Sequence, residues 1–231
     1  MKLSLLSVLV SMLLLSSACR NSSGHSNRGD AHQTDEETGW SQDVDFEDKV
    51  SMYEDENRDI WQKPERVIDI LGPLDNKTVV DLGAGTGYFA FRLVSKAKKV
   101  IAVDIDQDFV NFMDKKRKLL PEDLQDRFEV RLALPQDPRL KKGEADAVLI
   151  VNTYAYLQNR VAYFSNLQQV LKPNSEIVII EFKLKNIPNG PPEEEKVPIS
   201  TVEAELKSAG FKDIDVDDQT LDYQYIVTAR S

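Results

Sequence analysis

Three features near one point of the chain could do chemistry together. Asp81-Leu82 runs into Gly83-Ala84-Gly85-Thr86-Gly87, and Asp104 follows 21 residues after Gly83. Glycines at 83, 85 and 87 let the backbone pass close under a ligand, where a side chain would collide. An acid at position 104 is placed to accept hydrogen bonds from both hydroxyls of a ribose. Further along, Asn152 follows an apolar run, with Tyr154 and Tyr156 just beyond it. Beyond residue 32 the chain has no histidine and no cysteine, since its two histidines are His25 and His32 and its one cysteine is Cys19. That excludes a Ser-His-Asp or Cys-His nucleophile and a histidine or thiolate metal site in the remainder, so no metal is expected. The chemistry there is left to carboxylates, hydroxyls, amides, Lys, Arg or a bound cofactor.

The elements that must position these groups alternate. Apolar runs at 78–82, 99–104, 127–132, 145–151 and 176–182 read as strands, and 145–151 is apolar enough to be buried on both faces of a parallel sheet. Helical spacing lies between them: Ala90, Leu93, Val94 and Ala97; then 108–120; then Tyr163, Leu167, Val170 and Leu171. Before the first strand, Phe46, Val50 and Tyr53 predict one amphipathic helix, and Pro64 opens another with Val67, Ile68 and Leu71. Ser200 and Glu203 form a capping-box pattern ahead of Leu206 and Ala209. Two strands, 211–216 and 221–229, close the chain without a helix between them, the last alternating as a half-exposed edge strand would. The expected fold is α/β: a doubly wound, Rossmann-like sheet of seven strands, mostly parallel, ending in an antiparallel hairpin.

In such sheets the ligand sits at the carboxyl ends of the strands. Two nucleoside cofactors suit the glycine turn. A nicotinamide site wants Gly-x-Gly-x-x-Gly, whose third glycine would fall on Tyr88, and it cradles a pyrophosphate that Asp81 would repel. A cationic nucleoside without phosphate suits Asp81 better. The run Val79-Val80-Asp81-Leu82-Gly83-Ala84-Gly85-Thr86-Gly87 resembles motif I of class I S-adenosylmethionine-dependent methyltransferases, and Val100–Asp104 resembles their next motif in spacing and terminal acid. The resemblance covers residues 45–231. It implies S-adenosyl-L-methionine as cofactor, with Asp81, Gly83, Ala84, Gly85 and Gly87 around the methionine moiety and Asp104 on the ribose. It further implies Ile105 against the adenine and Ala133 and Leu134 along its edge, with Asn152 facing the methyl-transfer site. Family members often carry an acid near strand three that meets the adenine amine; here the candidates are Gln136 and Asp137. The stretches Arg58–Pro64, Gln136–Leu140 and Gly190-Pro191-Pro192 look like a subgroup of often exported methyltransferases, and Tyr53, Arg58 and Trp61 would lie on helices that lid the cofactor.

A base is needed only when the acceptor keeps its proton near neutral pH. Tyr154, Tyr156, Asp137 and Glu181 are candidates, with Tyr154 and Tyr156 taken as catalytic partners of Asn152. The stretch Asn152-Thr153-Tyr154-Ala155 lacks the Pro-Pro of adenine and glutamine amino-methyltransferases, and thiol-dependent methylation has no cysteine to use. The net charge is −10, most of it in residues 35–59, where eleven acids face Lys49 and Arg58. That balance disfavours nucleic acid as a partner. The dense basic run Lys115–Lys118 reads as a solvated helix face, and a small-molecule or lipid-like acceptor is the expectation.

The first residues read as an address. Lys2, the apolar run 3–15 and the small residues Ser16-Ser17-Ala18 form a signal-peptide pattern over 1–18. The run is too short to span a bilayer as a helix. Cys19 directly after it resembles the lipidated cysteine of bacterial lipoproteins, which would tie the chain to a membrane of the bacterial cell envelope. Residues 19–43 would be a flexible tether, since 20–43 holds no Ile, Leu, Val, Phe or Met. Residues 44–74 would be lid helices and 75–231 the cofactor-binding domain. Export raises an objection, because S-adenosylmethionine is made in the cytoplasm. The alternatives are a non-catalytic nucleoside-binding lipoprotein and, more weakly, a nicotinamide-dependent oxidoreductase.

Overall fold

The structure, a computed structural model, describes residues 45–231 except Glu56 and Asn189, all within the second of two units into which the chain divides, residues 38–231. The signal, the Cys19 anchor and the whole of the tether lie outside the described residues. Among those described, no helix is long and apolar enough to cross a membrane.

Seven strands form one sheet: β1 Thr78–Leu82, β2 Lys99–Asp104, β3 Phe128–Leu132, β4 Ala147–Val151, β5 Glu176–Phe182, β6 Lys212–Asp217 and β7 Gln224–Arg230. Their order is β3-β2-β1-β4-β5-β7-β6. The first five run parallel, with Val80 opposite Ile101 on one side and Val148 on the other, while β7 runs antiparallel to β5 and β6. The chain leaves β1 toward β2 and β3 and returns on the other side as β4, so the switch point lies between β1 and β4, where such sheets hold ligands. This is the doubly wound α/β sheet expected, with its antiparallel C-terminal pair.

Helices cover both faces. α1 Phe46–Tyr53, α2 Arg58–Gln62 and α3 Pro64–Ile70 precede β1; α4 Ala90–Leu93 follows it; α5 Gln107–Arg117 and α6 Glu122–Gln125 join β2 to β3; α7 Arg160–Val170 and α8 Ile199–Ser208 flank β5. Period-two alternation splits the sheet's side chains between two cores. Val79, Val100, Leu149 and Ile180 pack with Val67, Ile68, Leu93 and Met113 on one face. Val80, Ile101, Ile150 and Ile179 pack with Phe164, Leu167, Val202 and Leu206 on the other. α5 is capped at its start, the Asp106 carboxylate accepting from the Asp108 N–H at 2.8 Å, and ends in Lys115, Lys116 and Arg117, where positive charge suits the helix dipole.

Three expectations change. β7 is not an edge strand: it lies between β5 and β6, and from Gln224 to Val227 every residue is buried. Ile226 feeds one core while Tyr225 and Val227 feed the other, so an alternation of ring, amide and β-branched residues hides burial on both faces. The edge on this side is β6, whose acids Asp213, Asp215 and Asp217 and a register shift between Lys212 and Asp215 discourage further pairing. The capping box does not form. Pro198 is the N-cap of α8 with φ −62° and ψ 142°, so the helix begins at Ile199 and Ser200 already lies inside its first turn. The helix expected over 90–97 shrinks to the four residues of α4.

Candidate active site

The glycine turn grows out of β1 at the switch point. Gly83, Gly85 and Gly87 all take positive φ, +74°, +55° and +81°. Side chains confirm why no Cβ fits: at Gly83 it would stand 2.2 Å from Thr153 Oγ1, and at Gly87 2.7 Å from the Phe91 ring. The Gly83 and Ala84 N–H groups both donate to the Val103 carbonyl, at 2.8 and 3.0 Å, which pins the turn to the end of β2. Asp104 completes the clamp. Its Oδ2 accepts from the Gly85 N–H at 2.7 Å and its Oδ1 from the Asp106 N–H at 2.9 Å. Each oxygen keeps a further lone pair for a ligand hydroxyl, while burial pushes the Asp104 carboxyl up from its ordinary value.

Asp81 lies under the turn, 3% exposed. Burial raises its carboxyl to about 7, against the opposing pull of the Ala90 N–H and the Arg58 charge. Its Oδ2 and the hydroxyl of Thr86 are buried without a hydrogen-bond partner in the protein. An unpaired buried carboxylate oxygen costs free energy unless something binds it. Asp81 and Thr86 fit a ligand that brings an ammonium or sulfonium charge and polar hydrogens to this turn. The S-adenosylmethionine amino acid moiety has that character, so the residues present fit the cofactor. Thr86 was not singled out from sequence; a polar residue between two glycines of the turn was the available signal.

Ile105, 62% exposed, and Leu134, 46% exposed, stand open past the ends of β2 and β3, while Ala133 is buried and its N–H donates to the Asp104 carbonyl at 2.8 Å. Asp137 pairs its backbone with Leu134 in a tight turn, and its Oδ1 accepts from the Arg139 N–H at 2.7 Å. Over the glycine turn lies Tyr53 of α1: its ring is 3.1 Å from where a Gly85 Cβ would be, and it stacks on Phe109 at 5.3 Å. Arg58 of α2 donates to the Tyr53 carbonyl at 2.7 Å and sits over the Tyr88 ring at 4.0 Å. Trp61 packs against Phe182 and Tyr223.

Asn152 stands at the carboxyl end of β4 with φ +54°, held by its N–H to the Ile180 carbonyl at 2.9 Å. Tyr156, 36% exposed, follows in a 3-10 turn over Tyr154–Tyr156. Burial first, then Glu195, Glu181 and Tyr53, push its phenol up, so at neutral pH it is a proton donor rather than a base. Tyr154 is not brought to the site. It is fully buried among α7 and α8, and its hydroxyl donates to Glu205 at 2.5 Å, a carboxylate that Arg160 also holds at 2.7 Å. Alternation through the 3-10 turn sends one tyrosine into the core and leaves the next outside. Glu181, at the end of β5, is 3% exposed and accepts from the Ala155 N–H at 3.4 Å. Burial lifts it to about 7. Among the described residues no group of three or more His, Cys, Asp or Glu could hold a metal ion.

Residues 73–227 match the profile of the Methyltransferase domain family. The tRNA U34 carboxymethyltransferase of Actinobacillus succinogenes is 29% identical over 120 residues, which are 52% of this chain but 36% of that protein, so the chain spans little more than a third of the curated relatives it matches. A SAM-dependent methyltransferase from Aquifex aeolicus superposes with TM-score 0.72 at 26% identity, over 81% of this chain and 98% of the other. The phosphoethanolamine N-methyltransferase 2 of Haemonchus contortus, solved with S-adenosyl-L-methionine, shares the fold at 14% identity and TM-score 0.61, over 81% and 60% of the two chains. The glycine turn, its buried acid and the β2 acid thus sit in a chain that belongs to the Methyltransferase domain family and has the fold of class I S-adenosylmethionine-dependent methyltransferases.

Proposed function

We propose that the enzyme methylates a small-molecule or lipid-like acceptor while anchored to the bacterial cell envelope by a lipid on Cys19. The observation that supports the acceptor class is an open recess of about 370 Å³ that meets the site at Tyr156 and is otherwise walled by residues such as Glu195 and Val197. That volume is in the range that takes small ligands. Surface charge favours the same class. Three of the four cations of the basic run at the end of α5 pair with carboxylates: Lys116 with Glu54, and Arg117 and Lys118 with Asp114. No stripe of free cations is left there for a phosphate backbone. The relatives that act on tRNA are matched over little more than a third of their length.

Asp81, Thr86, the amides of the glycine turn and Asp104 would hold the cofactor, with Ile105, Ala133 and Leu134 along its adenine. When bound, S-adenosylmethionine supplies a methyl group activated by the sulfonium. The chain's own part is alignment, which can lower a barrier by several kcal/mol through effective concentration. Tyr53 excludes water from above the turn, Tyr156 can donate a hydrogen bond, and Glu181 holds or releases a proton near neutral pH.

The test is transfer of label. Incubated with methyl-labelled cofactor and, separately, a small-molecule extract, a lipid extract and total tRNA, the full chain should label one of the first two. Label in tRNA would overturn the acceptor class. Cofactor binding without transfer to any extract would favour the non-catalytic nucleoside-binding lipoprotein. For the anchor, Cys19→Ser should release the protein from the membrane fraction; unchanged fractionation would refute lipidation.

A further inference from the structure

A hydrogen-bonded chain of four side chains, its two middle members buried, joins the lid to the acceptor side of the site. Arg58 Nε donates to Gln62 Oε1 at 2.5 Å, Gln62 Nε2 to Gln224 Oε1 at 2.9 Å, and Gln224 Nε2 to Asn152 Oδ1 at 2.5 Å. Gln62 and Gln224 are both fully buried, and 162 residues separate them in the chain. A buried amide dipole is costly unless both its ends are satisfied, and here each glutamine is satisfied in one direction only. That direction is set at one end. A guanidinium has donors and no acceptor, and it keeps its charge. Gln62 must therefore turn its oxygen to Arg58 and its NH₂ to Gln224. Gln224 must then turn its NH₂ to Asn152, and Asn152 must receive it on oxygen. Each link leaves the next amide one orientation, although oxygen and nitrogen are nearly the same size. At the end, the Asn152 Nδ2 donates to no protein group among the described residues, and Asn152 itself is only half-buried, held in a left-handed conformation beside the glycine turn.

We propose that Arg58, Gln62 and Gln224 are positioning residues that lock the Asn152 amide with its NH₂ toward the methyl acceptor, so that the site selects acceptors bearing an oxygen lone pair and rejects ammonium groups. The proposal rests on the methyltransferase reading of the site and adds the polarity of its acceptor. A donor-only residue in the lid thereby dictates what a residue at the end of β4 offers to the substrate.

Side-chain amide exchange in the labelled full-length protein tests the lock. The Gln62 and Gln224 NH₂ protons should exchange at least tenfold more slowly than those of Asn152. Equal protection at Asn152 would show that its NH₂ is tied to the protein and would overturn the proposal. The selectivity is read by titrating the full chain, saturated with S-adenosylhomocysteine, with benzoate and with benzylamine while following the Asn152 amide signal. Benzoate should bind at least tenfold more tightly. Asn152→Asp, which offers only acceptors, should reverse the order, and Gln62→Met, which frees the relay to flip, should cut the preference below threefold. An equal or reversed preference in the unaltered protein, or no response to either probe, would overturn the selectivity. Failure to bind S-adenosylhomocysteine would instead count against the cofactor assignment, which the amide exchange does not use.

Discussion

Asp81 illustrates how a site residue is made by its neighbours. Its carboxyl is held near 7 by burial, and one oxygen has no partner in the protein. A cationic ligand binds the ionised form, so protons compete with it below that value. S-adenosylmethionine affinity, measured by calorimetric titration, should therefore fall as pH drops from 8 to 5.5, by up to about tenfold per unit once below 7. Asp81→Asn should bind more weakly at pH 8 and lose most of that slope. Gly83 makes a steric point. An alanine there meets Thr153 Oγ1 at 2.2 Å and must also hold φ +74°. The backbone alone costs about 1–2 kcal/mol, and the clash adds to it. Gly83→Ala should lower the melting temperature, and adding Thr153→Gly should recover the steric part but not the backbone part. Full recovery in the double variant would show that the positive φ is not what requires glycine.

At the scale of elements, α1 is the weakly held part of the lid, since α2 and α3 bury Gln62, Val67 and Ile68. α1 has no buried residue; it rests on α5 through Phe46 against Phe109 and Phe112, at 5.2 and 6.0 Å, and through Tyr53 against Phe109. Few buried contacts mean a low free energy of opening. Amides of 46–53 should exchange faster than those of α7 and should slow at least tenfold when S-adenosylmethionine is added. Tyr53→Ala removes a stacked aromatic pair, about 0.5–1.5 kcal/mol, and should speed exchange in α1 while leaving β1–β5 protected. If the cofactor leaves α1 exchange unchanged, the lid does not close on it. The strands and the order of helices were legible in sequence because each carries its own period. The place of β7 was not, because pairing on two sides is a property of neighbours rather than of the strand.

For the whole molecule, the pH dependence of stability has two arms of opposite sign. Asp81 and Glu181 are raised to about 7 in the folded state, so between their ordinary values near 4 and about 7 the folded state binds more protons and stability declines as pH rises. Glu144, bound to Arg131 at 2.8 Å, is pulled down to about 2. Between about 2 and 4.5 the unfolded state binds more protons at this group, so stability is lost as pH falls. The melting temperature should peak near pH 4–4.5. The double variant Asp81→Asn, Glu181→Gln should melt above the parent at pH 8 and close to it at pH 4. A parent whose melting temperature rises steadily from pH 5 to 8 would show that these carboxylates are not buried as described.

By itself the sequence determined the sheet's strands, the glycine turn with Asp81 and Asp104, and the family these imply, since all depend on residues close together in the chain. The same proximity let Cys19 be read as an address without any fold. Tertiary structure decided which of Tyr154 and Tyr156 reaches the site, that Thr86 joins it, and that Gln62 and Gln224 connect Arg58 to Asn152. Neither glutamine carries a local signal, because a buried amide is recognised only by the partner that satisfies it. Here that partner lies 162 residues away.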